Sequence, residues 1–236
     1  MRRPRHLAYR GMVSADLHRS HPTPDTASST SGPVVALIGP EEVPPALLSA
    51  MSSNDLVPVP LPPLHPSSAQ QRLGTLICVL ACDAVILVLP AAVGLDPGST
   101  EVWQQAAEHG MPRSVLVVGL GAGTADLEDM SAIVARALDH EPLVPRLPVL
   151  ADDEVPAASM DLVTLGIATT EGPGQVDPEH VAVVQEARAA LIASIAVTSD
   201  DDVLVDQAVA GLQPSVDRLA AGLADAAASG QSATVL

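Results

Sequence analysis

The stretch from Asp83 to Leu127 constrains the fold more tightly than any other. It opens with an unbroken apolar run, Ala84 to Leu89, followed by a Pro/Gly-rich bend and a capped amphipathic segment. Gly110-Met111-Pro112 then leads into a second β-branched run, Ser114 to Val118, which ends on Gly119, Gly121 and Gly123. Short Val- and Ile-rich runs without polar alternation are strands buried on both faces. A helical segment between two such runs is the crossover that parallel strands need. This is one βαβ unit, and it sets the fold class as α/β. Hydrophobic residues are 47% of the 236, enough for a sizeable core. Aromatic residues are 1% and Phe is absent, so that core must be aliphatic.

Charge narrows the partners. The chain has 28 acidic residues against 11 basic ones, all of them Arg, for a net charge of -17. That disfavours nucleic acid or an anionic membrane over most of the surface. The exception is the first nineteen residues, which carry Arg2, Arg3, Arg5, Arg10 and Arg19 and then run into a Ser/Thr/Pro-rich stretch. Residues 1–32 are read as a disordered Arg-rich tail, able at most to make a weak RNA contact. Two cysteines, Cys78 and Cys82, lie one helical turn apart and read as buried thiols in a reducing cytoplasm. No metal site is expected, and the acid triplets at 152–154 and 200–202 read as solvated or helix-capping charge.

Other stretches raise rival readings. Leu73 to Leu95 is 23 residues with only Asp83 charged, and hydropathy alone allows a membrane span there. Gly74, Pro90 and Gly94 interrupt it, which favours a helix, a turn and a buried strand instead. Gly119-Leu120-Gly121-Ala122-Gly123-Thr124 follows a strand in the manner of a dinucleotide-binding loop, with Asp152 as the distant acid. Its third fingerprint position is Thr124 rather than Gly, so the match is partial. The run from Val57 to Pro66 has prolines at 58, 60, 62, 63 and 66 and reads as an extended connection, with His65 a lone surface histidine.

Read together, Asp83, Ala84, Val85, Val88, Gly94, Pro97, Thr100, Glu101, Val102, Trp103 and Gln105 follow a known pattern. Gly110, Pro112, Arg113, Ala125 and Asp126 extend it. The stretch resembles the GTP-binding domain of bacterial elongation factor G and related translational GTPases. Trp103 is the only tryptophan, and its place in Thr-Glu-Val-Trp is the most specific match. Pro142 to Asp153, Met160 to Val163, Glu186 to Ala196, Asp200 to Leu204 and Pro214 to Leu236 resemble the insertion of that domain and the segment that closes it.

The resemblance implies a doubly wound, mainly parallel sheet of the P-loop GTPase type with a mixed α/β insertion. Core strands are expected at 34–38, 84–89, 114–118 and 232–236. Residues 33–142, completed by 231–236, would form the core and 143–230 the insertion. Against the family, the phosphate-binding loop falls on Gly39-Pro40-Glu41-Glu42-Val43-Pro44-Pro45-Ala46, and its lysine is missing from the whole chain. The guanine-reading motif falls on Val118, Gly119, Leu120 and Gly121, which keep none of its polar groups. Gly39, Pro40, Gly119 and Gly121 are therefore relic pocket positions. The expectation is a cytoplasmic pseudo-GTPase with no catalytic residue and no cofactor, associated with the ribosome or another protein. Only Arg146, Arg188 and Arg218 could offer positive charge from 143–230.

Overall fold

A computed structural model describes residues 32–63, 69–121, 125–138, 141–151, 156–169, 172–174, 181–229 and 232–235. Outside them lie the Arg-rich tail, His65, residues 122–124 of the glycine loop and the 152–154 triplet.

The chain begins with β1 (Val34–Ile38), α1 (Pro45–Ser52) and β2 (Val57–Pro60), followed by α2 (Ala69–Leu80) and β3 (Ala84–Pro90). Next come α3 (Pro97–Glu108), β4 (Arg113–Val118), α4 (Leu127–Leu138) and β5 (Glu141–Leu143). Four strands follow, β6 (Arg146–Leu150), β7 (Pro156–Asp161), β8 (Ile167–Thr169) and β9 (Gly172–Gly174). The helices α5 (Val181–Thr198), α6 (Asp202–Val209) and α7 (Val216–Ser229) then lead to β10 (Ser232–Val235).

Six strands form one sheet in the order β2-β1-β3-β4-β10-β5, parallel throughout. All four runs expected to be core strands fall in it, the last one described as far as Val235. β3 is the most buried strand, every side chain inward except half-exposed Pro90, as an uninterrupted Val/Leu/Ile run demands. Alternate residues serve opposite faces. Ala36, Ile38, Val85, Leu87, Leu89, Val115 and Val117 pack with Val79 of α2, Trp103 of α3 and Met130 of α4. Val35, Leu37, Ala84, Ile86 and Val88 pack with Met51 of α1. Helices thus cover both faces, which is the doubly wound arrangement.

β2 corrects the expected connection. Val57-Pro58-Val59-Pro60 is an edge strand in parallel register with Val34 to Leu37. The Val57 amide donates to Pro33 O at 3.0 Å and the Leu61 amide to Leu37 O at 3.0 Å. Every second residue of a strand turns its amide away from its neighbour, and Pro58 and Pro60 hold those outward positions. Proline therefore costs the ladder nothing and denies a further strand its hydrogen bonds.

β6 to β9 form a separate antiparallel sheet. It shares a core with α5, α6 and α7 through Met160, Leu162, Val163, Leu191, Ile195, Leu204, Leu219 and Leu223. The expected boundary at 142/143 falls inside β5, whose Leu143 packs in this second core. The 73–95 run is not one helix, because α2 ends at Leu80 and β3 starts at Ala84. Among the described residues, α5 is the one helix long and apolar enough by composition to cross a membrane, with mean hydropathy 1.5. It buries Val184, Arg188, Leu191, Ile192 and Ile195 inside the protein.

Candidate functional site

The strand order reverses at β1. β2 lies on one side of it and β3 on the other, so the crevice beyond the carboxyl ends of β1 and β3 is the topological switch point where open α/β sheets bind ligands. Gly39 follows β1 there. Pro90 of β3 pairs in register with Val118 of β4, and the Ala91 amide donates to Val118 O at 2.9 Å. Gly39, Pro40, Gly119 and Gly121 are therefore at one edge of the sheet, with β3 between the two pairs.

The reasons for these residues are local. A Cβ on Gly39 would lie 2.5 Å from Val88 O, so its glycine serves the approach of β1 to β3. Gly119 and Gly121 have φ of 75° and 84° and turn the chain out of β4 towards α4. A strand, a glycine turn and a helix are thus the setting of the partial dinucleotide match.

Among the described residues three helices start at this edge, and their first turns are occupied by proline or by carboxylates of the chain. The α1 N-cap is Pro44, which makes no side-chain cap, and Pro45 follows it. Two prolines remove amides that a phosphate would need. Exposed Glu41 and Glu42 precede them. At α3, Asp96 Oδ1 accepts from the Ser99 amide at 2.9 Å. Asp96 Oδ2 is buried without a hydrogen-bond partner among the described residues, and the carboxyl already fills the place at this helix start where a phosphate would be brought. At α4, Asp126 Oδ1 accepts from the Asp129 amide at 2.8 Å, and Glu128 and Asp129 fill the first turn. The carboxylates take the positions that favour an anion at a helix N-terminus. The loops 39–44, 91–96 and 119–121 contain no cation. Arg72 of α2 pairs with Glu101 of α3 at 3.1 Å.

A cavity of about 850 Å³ opens on the α1 face of the parallel sheet. Leu47, Met51, Ile86, Leu116, Leu147 and Ile167 supply much of its wall. Gly119 borders it but Gly39 and Pro40 do not, so it is not the expected nucleotide pocket.

The three arginines of 143–230 are all engaged internally. Arg146 pairs with Asp161 at 3.4 Å, and Arg218 pairs with Asp201. Arg188, 6% exposed, donates through Nε to Gln213 Oε1 at 2.9 Å and through Nη1 to Leu162 O and, at 2.7 Å, to Val163 O. Burial lowers its pKa, against the pull of Asp161. Asp201 caps α6 by accepting from the Val203 amide at 3.0 Å and the Leu204 amide at 3.3 Å. Burial alone would raise its carboxyl, but the Leu204 amide, Arg218 and the Val203 amide together hold it below the usual range.

The cysteines differ from the expected buried pair, since Cys78 is exposed and Cys82 half-buried. Cys82 Sγ donates to Cys78 O at 3.2 Å, and burial, then Cys78 and Asp83, push its thiol up. Such a thiol is a poor nucleophile. Arg113, noted in the sequence only as part of the family pattern, is 1% exposed, stacks 4.6 Å from the Trp103 ring centroid and donates to Trp103 O at 3.2 Å. Desolvation pulls its pKa down to about 10. Its place at the start of β4, away from the crevice, makes it a core element that holds α3 to the sheet.

No protein-family model matches the chain. Among solved structures, it is similar to a Thermus thermophilus protein described only as "ttk003000868", with 19% identity and a TM-score of 0.66. The similarity covers 87% of this chain and 37% of that one, so the chain spans little more than a third of its neighbour's length. At that identity the two proteins share an α/β fold by a distant relationship.

Proposed function

We propose that this chain is a relative of the elongation factor G GTP-binding domain that does not bind GTP and acts in the cytoplasm by protein contact. The Thr-Glu-Val-Trp match around Trp103 and the P-loop GTPase-like order of the motifs support the family reading. The observation that carries the loss of activity is the sheet edge itself, where Glu41, Glu42, Asp96 and Asp126 stand at the loops a nucleotide would meet. Phosphoryl transfer depends on neutralising phosphate charge with Lys and Mg²⁺, and on donors aimed at the transferred group. Here the charge has the opposite sign, and the chain has no lysine to restore it. Guanine selection fails separately, because Gly121 stands where the family has its carboxylate.

Isothermal titration of the full chain with GTP, GDP and NAD tests the first half of the proposal. No saturable heat is expected up to about 1 mM nucleotide, and affinity in the micromolar range or better overturns it. The contact half is read by co-sedimentation with ribosomes. Arg146, Arg188 and Arg218 are engaged internally, so association should run through residues 2–19 and fade with salt. A chain lacking residues 1–32 that pellets as well as the full chain, in low and high salt alike, refutes that route.

A further inference from the structure

We propose that the cavity of about 850 Å³ between the two sheets binds a small amphipathic carboxylate, one acid group on an apolar body. Its two walls differ in chemistry, and strand register explains the difference. One wall is the α1 face of the parallel sheet, where Leu47, Met51, Ile86 and Leu116 offer aliphatic side chains. The other wall is the antiparallel sheet. There Arg146 pairs with Asp161, Pro148 with Ser159, and Ser159 with Ala168. Residues two apart in a strand share a face, so these five stand on one side of the sheet, and all five line the cavity. Met160 alternates with them and packs in the second core instead. The cavity therefore has an aliphatic wall facing a polar one. Ligand pockets of roughly 300–1,000 Å³ recur at such junctions between packed units, with apolar walls and a few fixed polar groups.

Arg146 identifies the polar end of the ligand. Among the described lining residues, only Arg146 and Asp161 are charged. One long contact joins them, from Arg146 Nη2 to Asp161 Oδ2 at 3.4 Å. Nε and Nη1 of Arg146 make no hydrogen bond among the described residues. The Arg146 side chain is 36% exposed, so a ligand in the cavity can reach those donors. Asp161 is occupied elsewhere. Its Oδ1 accepts from the Val163 amide at 2.8 Å and the Thr164 amide at 3.0 Å, and its charge also acts on Arg188. One carboxylate thus answers two guanidiniums, which leaves positive charge on the cavity wall. Uncommitted guanidinium N–H groups are strong donors to a carboxylate oxygen. The net charge of -17 opposes a polyanion, so a single negative charge on an apolar body is the chemistry that fits.

The test is titration of the full chain with octanoate, and with octan-1-ol as its uncharged counterpart, followed by the ¹³C-methyl NMR signals of the methionines. Met51 lines the cavity and should shift, whereas Met130, on the opposite face of the parallel sheet, should not. For a ligand of this size the dissociation constant for octanoate is expected at about 0.1–1 mM, with octan-1-ol about five- to tenfold weaker. Arg146→Gln should lose that difference, binding octanoate about as weakly as the parent binds octan-1-ol and leaving octan-1-ol affinity unchanged. Ala168 is exposed on the cavity side of β8, so Ala168→Trp should fill the space and abolish the Met51 shift with either ligand at unchanged melting temperature. No saturable Met51 shift up to about 5 mM octanoate overturns the proposal. An Arg146→Gln chain that weakens both ligands equally also overturns it, since Arg146 would then only hold the sheet together. Octanoate binding that survives Ala168→Trp overturns it as well, because the ligand would lie elsewhere.

Discussion

Replacing Arg188 with Met should detach the antiparallel sheet from the helices that support it. The guanidinium reaches from α5 to the carbonyls of Leu162 and Val163 in the turn after β7, and to Gln213 before α7. Leu162 and Val163 are each 1% exposed, so water cannot replace the lost donor. Two orphaned carbonyls cost about 2–6 kcal/mol together. Part of that is offset, because a buried guanidinium carries a desolvation penalty of its own and Met fills much of the same volume. The net expectation is a loss of about 2–4 kcal/mol, or roughly 5–15 °C in melting temperature for a chain of this length. Arg188→Lys keeps the charge but loses the fork, and should fall between the two.

The assay pairs thermal melts with amide hydrogen exchange, because the effect should be local before it is global. Amides of β7 and β8, such as Met160 and Ile167, should lose protection in Arg188→Met. Those of β3, such as Ile86 and Leu87, should change little below the transition. An unchanged or higher melting temperature would refute the reasoning, as would equal loss of protection in β3 and β7.

Other perturbations follow from single contacts. Gly222→Ala should cost about 1–2 kcal/mol in urea melts despite better helix propensity, since its Cβ would meet the stiff Ile195 Cγ2 at 2.6 Å. Leu165 is 44% exposed with φ at 60°, so Leu165→Gly should stabilise by about 0.5–1 kcal/mol in the same assay. Asp201 has a folded pKa below the usual 3.8, so its contribution is complete above that value and is lost as pH falls through the lower folded value. Acid unfolding followed by circular dichroism should therefore be less steep below pH 3.8 in Asp201→Asn than in the parent.

The core sheet was legible because its signal is local and strong. Ala84 to Leu89, bounded by Asp83 and Pro90, reads as a strand buried on both faces, and Asp96-Pro97 is a helix start whose cap is made within four residues. β2 was hidden for a physical reason. Proline is a breaker in a central strand and harmless on an edge, and only the register with β1 reveals that Pro58 and Pro60 occupy outward positions. The buried roles of Arg113 and Arg188 were hidden in the same way. A lone arginine in a sequence reads as surface charge, and the carbonyls that each satisfies are 10 and 25 or 26 residues away.

The chemistry of the sheet edge was partly legible in the sequence, and the structure adds how its residues are arranged. The missing lysine and the glycines at 119 and 121 can be read from the chain alone. That Asp96 and Asp126 cap helices at the same sheet edge as Glu41 and Glu42 needs the strand order. An anion site at a helix N-terminus works because unpaired amides face an empty position. Where a carboxylate from the chain already accepts from those amides, the helix is stabilised by the interaction a phosphate would have made. Anion binding there would require breaking caps worth about 0.5–2 kcal/mol each as well as supplying a cation. For this reason a single substitution such as Glu42→Lys should not confer GTP affinity. At α3 and α4 the edge is a self-capped end of the sheet.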